Sequence, residues 1–201
     1  MQILWEGFNY FKLQNSQQTV LLNPYSLDKN ISFSKIKADL ALFSDPKYLE
    51  LAKVKDEAFV IEAPGEYEVN EIFVYGHKIN GQIIYLINFE DIKIAFLGEF
   101  GHQVLSEKDL ELIEGADILI LPVGGGDLTT AKEAVKIISQ VEPRIVIPSC
   151  HQDGMGKLNA DSVSLFVKEF GVKPETMDKL KISKKDLPQE DVKLIILEKQ
   201  K

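Results

Sequence analysis

Four short stretches concentrate side chains able to do chemistry. Leu97-Gly98-Glu99-Phe100-Gly101-His102 closes an apolar run with a carboxylate and an imidazole, groups that ligate metals or move protons. The same residues read equally well as a glycine-rich turn whose polar groups face water. Cys150-His151 follows the apolar run Arg144 to Pro148 and has the composition of a nucleophile and its base. Adjacent residues of an extended chain point to opposite sides, however, so Cys150 is expected as a small buried packing residue. His151 is expected as a solvated loop histidine unless a metal holds it. Gly124-Gly125-Gly126 lies where backbone N–H groups could cradle a phosphate. It lacks the Gly-Lys-Ser/Thr ending of a phosphate loop, and Asp127 places a negative charge where the anion would sit, so a tight turn into a helix is expected. Ser44-Asp45-Pro46-Lys47 is, taken alone, an Asp-Pro turn.

The elements that must position these residues follow from periodicity. Eight short strands are predicted over 2–5, 10–14, 19–23, 39–43, 58–61, 72–75, 83–88 and 92–97. Asn23-Pro24, Pro64-Gly65, Asn80-Gly81 and Glu90-Asp91 supply the turns, Asn80-Gly81 being the strongest hairpin signal. The second half alternates strand and helix. A helix opens at Ser106 with Glu107 and Asp109 in its first turn, and a second is capped by Thr130 with Glu133 three residues on. A third runs from Asp161 to Phe170 and stops at Gly171. Strands are predicted over 117–122, 144–148 and 192–197. This α/β (α+β) pattern implies two sheets with helices on their outer faces, in a single domain over residues 1–201.

Composition narrows the function classes. With 31 acidic against 23 basic side chains and a net charge of −8, the chain is a poor partner for nucleic acid. No apolar run approaches a membrane span, and the opening residues lack the layout of a signal peptide, so a cytoplasmic protein is expected. On that reading the Asn30-Ile31-Ser32 sequon carries no glycan. A single cysteine excludes an intramolecular disulfide and any Cys-x-x-Cys metal site, and three histidines leave little for an all-histidine centre. Lys179, Lys181, Lys184 and Lys185 form a basic stretch, expected as a solvated edge.

Across nearly the whole chain the sequence resembles the metallo-β-lactamase superfamily, especially its small bacterial branch of Zn-dependent hydrolases. The resemblance rests on MQILWEGFNYFKLQ, TVLLNPYS, KADLALFSD, AFVIEAPGEYEVNEIFVYG, IAFLGEFGHQVLSEKDLELI, ADILILPVGGGDLTTAKEAVKII, EPRIVIPSCH and KLKISKKDLP. It implies a four-layer αββα sandwich with a metal site where the strand-end loops converge. The family's His-x-His-x-Asp-His cluster would follow the strand 39–43. Asp45 and Lys47 stand at its first two histidine positions, Leu49 at the aspartate and Glu50 at the last histidine. Glu99 replaces the bridging aspartate, Cys150 replaces the histidine after Pro148, and His77 comes too early to serve as the further family histidine. A charged lysine and a leucine cannot ligate a metal.

The resemblance therefore implies a dismantled dinuclear zinc site in a non-catalytic or weakly active pseudoenzyme that binds a small molecule or a protein, with no cofactor. The alternative is a hydrolase with a rebuilt single-zinc site formed by Asp45, Glu99 and Cys150 or His151. A third reading is a structural or homo-oligomer-forming module with a filled crevice. Lys47 is expected to approach both Glu99 and Asp45, its ammonium standing in for the lost metal charge.

Overall fold

The molecule is a computed structural model describing residues 1–27, 34–55, 57–101, 105–152 and 160–200, so the Asn30 sequon and His102 lie outside the described residues. In chain order the strands are β1 (Gln2–Gly7), β2 (Tyr10–Gln14), β3 (Thr19–Leu22), β4 (Leu40–Leu42), β5 (Phe59–Ile61), β6 (Gly65–Val69) and β7 (Ile72–Ile79). They continue with β8 (Gln82–Phe89), β9 (Ile92–Phe96), β10 (Ile118–Pro122), β11 (Ile145–Ser149), β12 (Pro174–Met177), β13 (Leu180–Lys181) and β14 (Lys193–Leu197). The helices are α1 (Glu107–Ile113), α2 (Ala131–Val141) and α3 (Val163–Phe170).

The strands form two sheets, one of order β13-β1-β2-β3-β4-β5 and one of order β12-β14-β11-β10-β9-β8-β7-β6. In the first, β3, β4 and β5 run parallel; in the second, β6 to β9 form an antiparallel meander and β9, β10, β11, β14 and β12 run parallel. Between the sheets, alternate residues interdigitate: Phe11, Leu13, Leu22 and Leu42 from one face, Tyr85, Ile87, Phe96, Ile120 and Ile147 from the other. Burying each such side chain stabilises the fold by about 1.5–3 kcal/mol. On the outer face of the second sheet, Leu119, Leu121 and Val146 meet α2, whose Ala134, Ile137, Ile138 and Val141 recur at helical spacing. Outside the first sheet, Tyr10, Leu21, Tyr25 and Phe43 are covered by a 3-10 turn at Pro46–Leu51. The sandwich thus has its expected layers, with the outer cover of the first sheet reduced among the described residues to loops and that turn.

Local signals act where the sequence places them. Asn80 and Gly81 both adopt positive φ and close the β7–β8 hairpin with Ile79 opposite Gln82. Ser106 with Asp109, and Thr130 with Glu133, form reciprocal capping boxes. Three strands escape the periodicity. β6 begins at the expected Pro64-Gly65 turn and alternates Glu66 and Glu68 with Tyr67 and Val69, so it carries too little apolar content to read as a strand. β12 starts on a proline at a sheet edge, and β13 has two residues. Among the described residues no helix is long and apolar enough to cross a membrane.

Candidate functional site

The C-terminal ends of β3, β4, β9, β10 and β11 meet at one edge of the sandwich, the position where α/β proteins build ligand sites. A polar buckle joins these ends. Asn23, with φ of 49°, donates from Nδ2 to Ser44 Oγ at 2.7 Å, and Ser44 N–H donates to Asn23 Oδ1 at 2.8 Å. Gly98, with φ of 61°, passes so close that a Cβ there would lie 2.4 Å from the Ser44 side chain. The buckle sets Asp45 beside the loop that carries Glu99.

Asp45 caps the 3-10 turn, accepting a hydrogen bond from Lys47 N–H at 3.1 Å, and its other oxygen pairs with the Lys47 ammonium. That ammonium also lies 4.5 Å from the centre of the Tyr48 ring. The Asp45 contact is the main reason the Lys47 amine is pushed above its ordinary value. Glu99 is not in salt-bridge contact with Lys47, which corrects half of the sequence expectation. Its Oε1 instead accepts from the Tyr25 hydroxyl at 2.5 Å. The geometry explains the difference: Lys47 sits two residues after its own capping aspartate, so its side chain folds back on Asp45, while Tyr25, only 4 % exposed, reaches Glu99 from the adjacent strand end. Burial raises the Glu99 carboxyl above the usual range, opposed by the Tyr25 hydrogen bond and by Lys47 acting through space. Tyr25 is itself raised well above a free phenol, first by burial and then by Glu99, and stays a donor.

Leu49 and Glu50, the other ancestral-site positions, contribute nothing polar to this cluster. Leu49 packs half-buried against the apolar layer outside the first sheet, and Glu50 is exposed. Cys150 takes φ of 53° at the end of β11 and is fully buried, its Sγ 3.8 Å from the Gly98 carbonyl. Burial and then Glu99 push its thiol far above its ordinary value, so it is held uncharged. His151 diverges from it: the ring lies tilted against Trp5 with centroids 4.7 Å apart, and Nδ1 lies 3.2 Å from the Gln152 carbonyl. His151 is therefore buried and not the solvated loop residue expected from sequence. His77 pairs instead with Asp109 of α1 at 2.8 Å. Gly124-Gly125-Gly126 forms the expected turn; a Cβ on Gly124 would lie 2.0 Å from the Cys150 carbonyl, so this glycine is required by close packing.

Three members of the site carry no signal in the residue-type reading: Tyr25, Tyr48 and Asn9. Asn9 is 2 % exposed, and neither of its amide atoms reaches hydrogen-bond geometry with a protein partner. Tyr25 follows the Asn23-Pro24 strand end, so its place beside Ser44-Asp45 is what a parallel β3–β4 pair would have indicated.

As a donor set these residues do not fit a zinc ion. Asp45 is neutralised by an ammonium, Glu99 resists ionisation, Cys150 is a thiol and His151 faces Trp5. Among the described residues no three His, Cys, Asp or Glu side chains are grouped to hold a metal. Among the described residues, the positive charge beside Asp45 is that of Lys47.

A family model described as the beta-lactamase superfamily domain matches residues 2–150. A metal-dependent hydrolase of Pyrococcus horikoshii is 26% identical over 143 residues, covering 65% of this chain and 61% of the relative, less than two thirds of its length. A Thermotoga maritima protein of the metallo-β-lactamase superfamily superposes with a TM-score of 0.83 at 28% identity, covering 99% of both chains. A metallo-β-lactamase fold protein of Bacillus subtilis, 11% identical, covers 98% of this chain and 96% of its own with a TM-score of 0.65 and is similar in fold alone.

Proposed function

Because the chain belongs to the metallo-β-lactamase superfamily, we propose that it retains the fold of these metal-dependent hydrolases as a non-catalytic or weakly active pseudoenzyme, using the strand-end crevice to bind a small molecule or a protein. One observation carries this reading: the Lys47 ammonium is paired with Asp45 where the superfamily resemblance places metal ligands. Activating water for hydrolysis needs a Lewis acid or a poised base, and a lysine-neutralised aspartate supplies neither. What these strand ends offer instead is a half-exposed ammonium, a buried carboxyl raised by desolvation and two tyrosine rings, a set suited to holding a polar ligand. The cytoplasmic setting belongs to the same proposal, supported by the one cysteine being kept as a buried free thiol.

The competing reading is a hydrolase with one zinc held by Asp45, Glu99 and Cys150 or His151. The metal dependence of the Pyrococcus relative favours it, and it requires Lys47 to leave Asp45. Hydrolysis assays with ester, lactam, thioester and phosphodiester substrates, with zinc or manganese supplied, separate the two. Pseudoenzyme behaviour predicts no metal-dependent turnover. Turnover that depends on added zinc and is lost in Glu99→Ala would overturn it.

A further inference from the structure

On the outer face of the second sheet, α1 to α3 cover the strands from β9 onward and α1 reaches the His77–Ile79 end of β7, which leaves β6 and the Phe73–Tyr75 stretch of β7 uncovered. The register sets the side chains of this strip in two rows. Glu66 lies opposite Tyr75, which lies opposite Leu86; Glu68 lies opposite Phe73, which lies opposite Asn88. Phe73 and Tyr75 are 38 % and 37 % exposed, although aromatic residues on a finished sheet face are ordinarily covered. Between them and α1 runs a groove of about 550 Å³, floored by Phe73, Tyr75 and Leu86, walled on the helix side by Glu111 and Glu114, and lined by a single cation among the described residues, Lys93, opposite Asn88. On the far side of the Phe73 and Tyr75 row, just outside the groove, lie Glu66 and Glu68 of the edge strand. None of these four carboxylates has an ion-pair partner among the described residues, and one end of the groove opens, past Phe73 and Asn88, onto a second hollow lined by Glu71, Glu90 and Asp91.

We propose that this groove docks a basic amphipathic helix of a partner protein. Two physical facts select that occupant. The helical layer of the sheet stops at α1, so an added helix would continue it and cover the exposed aromatic floor with its apolar stripe. Glu111 and Glu114 on one side and Glu66 and Glu68 beyond the aromatic row outnumber the single Lys93 and fit lysine or arginine flanks, whose aliphatic stems also cover aromatic rings and whose charged heads meet carboxylates and ring faces. Acidic partners are repelled, and a neutral apolar helix would leave the four carboxylates unpaired. The site is separate from the strand-end crevice and does not depend on what that crevice binds.

The test uses the full chain and a labelled synthetic leucine–lysine amphipathic helical peptide, with binding read by fluorescence anisotropy at low and high salt. Saturable binding is expected, weakened by salt and absent for the same peptide with glutamate in place of lysine. Phe73→Ala with Tyr75→Ala, or Glu66→Lys with Glu68→Lys, should each weaken it by about tenfold or more. All four substitutions lie on an exposed face, and unchanged thermal unfolding verifies folding. Binding that is undetectable, or that ignores both double variants, overturns the proposal. A homodimer in light scattering that dissociates in Phe73→Ala/Tyr75→Ala would also overturn it, assigning the face to a second copy.

Discussion

Replacing Tyr25 by Phe removes one oxygen from the centre of the site and nothing else. The ring stays stacked on Phe43 and tilted against Tyr48, with centroids 6.2 and 4.6 Å away, so packing is preserved. What is lost is the hydrogen bond to Glu99, the direct donor that opposes the desolvation of that carboxyl. A hydrogen bond to a charged group contributes about 1.5–3 kcal/mol and one to a neutral group about 0.5–1.5 kcal/mol. Burial raises the Glu99 carboxyl, so its uncharged form gains population as pH falls towards the ordinary glutamate range and ionisation is complete only above the raised value. Tyr25→Phe should therefore cost about 2 kcal/mol on the alkaline side of the raised Glu99 titration, where the carboxyl is charged, and about 1 kcal/mol on its acid side, where the carboxyl is neutral. In a domain of this size the larger, charged-state loss is roughly 4–8 °C in Tm. Urea unfolding of both proteins on the two sides of that titration measures the difference, and Glu99→Gln should reduce the Tyr25→Phe loss to the smaller figure on both. A loss independent of pH, or one larger in acid, would refute the assignment of Tyr25 as the partner of an ionisable Glu99.

Other outcomes follow from the same geometry. Gly98→Ala should destabilise by about 2 kcal/mol or more, since it combines a positive φ with overlap on Ser44, and calorimetry would read the fall in Tm. Native Cys150 should react with a thiol reagent at mildly alkaline pH only as fast as the protein unfolds, because its buried thiol resists ionisation; prompt modification would contradict this. Lys47→Met should change stability by less than about 1 kcal/mol, as its ammonium is more than half exposed. Asp109→Ala should cost about 1 kcal/mol or more, because Asp109 closes the α1 capping box and meets His77. Burial raises the Asp109 carboxyl, but the Ser106 and His77 contacts outweigh it and leave the group below its ordinary value. Its contribution is thus present above the usual aspartate range and fades as pH falls through it, which a pH series of unfolding curves would show.

Much of the scaffold was legible because local and tertiary preferences agree. Thr130 and Glu133 cap α2, Asn80-Gly81 turns β7 into β8, and Gly171 ends α3 in the left-handed conformation the helix stop predicts. The edge strands were not legible: β6 holds its place by pairing with β7, and Tyr67 and Val69 between exposed glutamates are too little apolar content to mark a strand. At the site, Asp45, Lys47, Glu99 and Cys150 could be singled out by residue type, but their pairing could not. Whether Lys47 meets Asp45 or Glu99 depends on the 3-10 turn that folds it back, and whether Glu99 has a partner depends on Tyr25, which lies 74 residues away along the chain. Asn9 and Tyr48 enter through the sheet order and the outer packing layer, neither of which leaves a trace in composition.

The most direct measurement is metal content by mass spectrometry on untagged protein purified without chelator and then offered zinc, with thermal stability followed alongside. If Lys47 has taken the place of a metal at Asp45, zinc remains far below one ion per chain and Tm does not rise. Near-stoichiometric zinc that stabilises the protein through linkage, and is lost in Glu99→Ala/Cys150→Ala, would contradict the account.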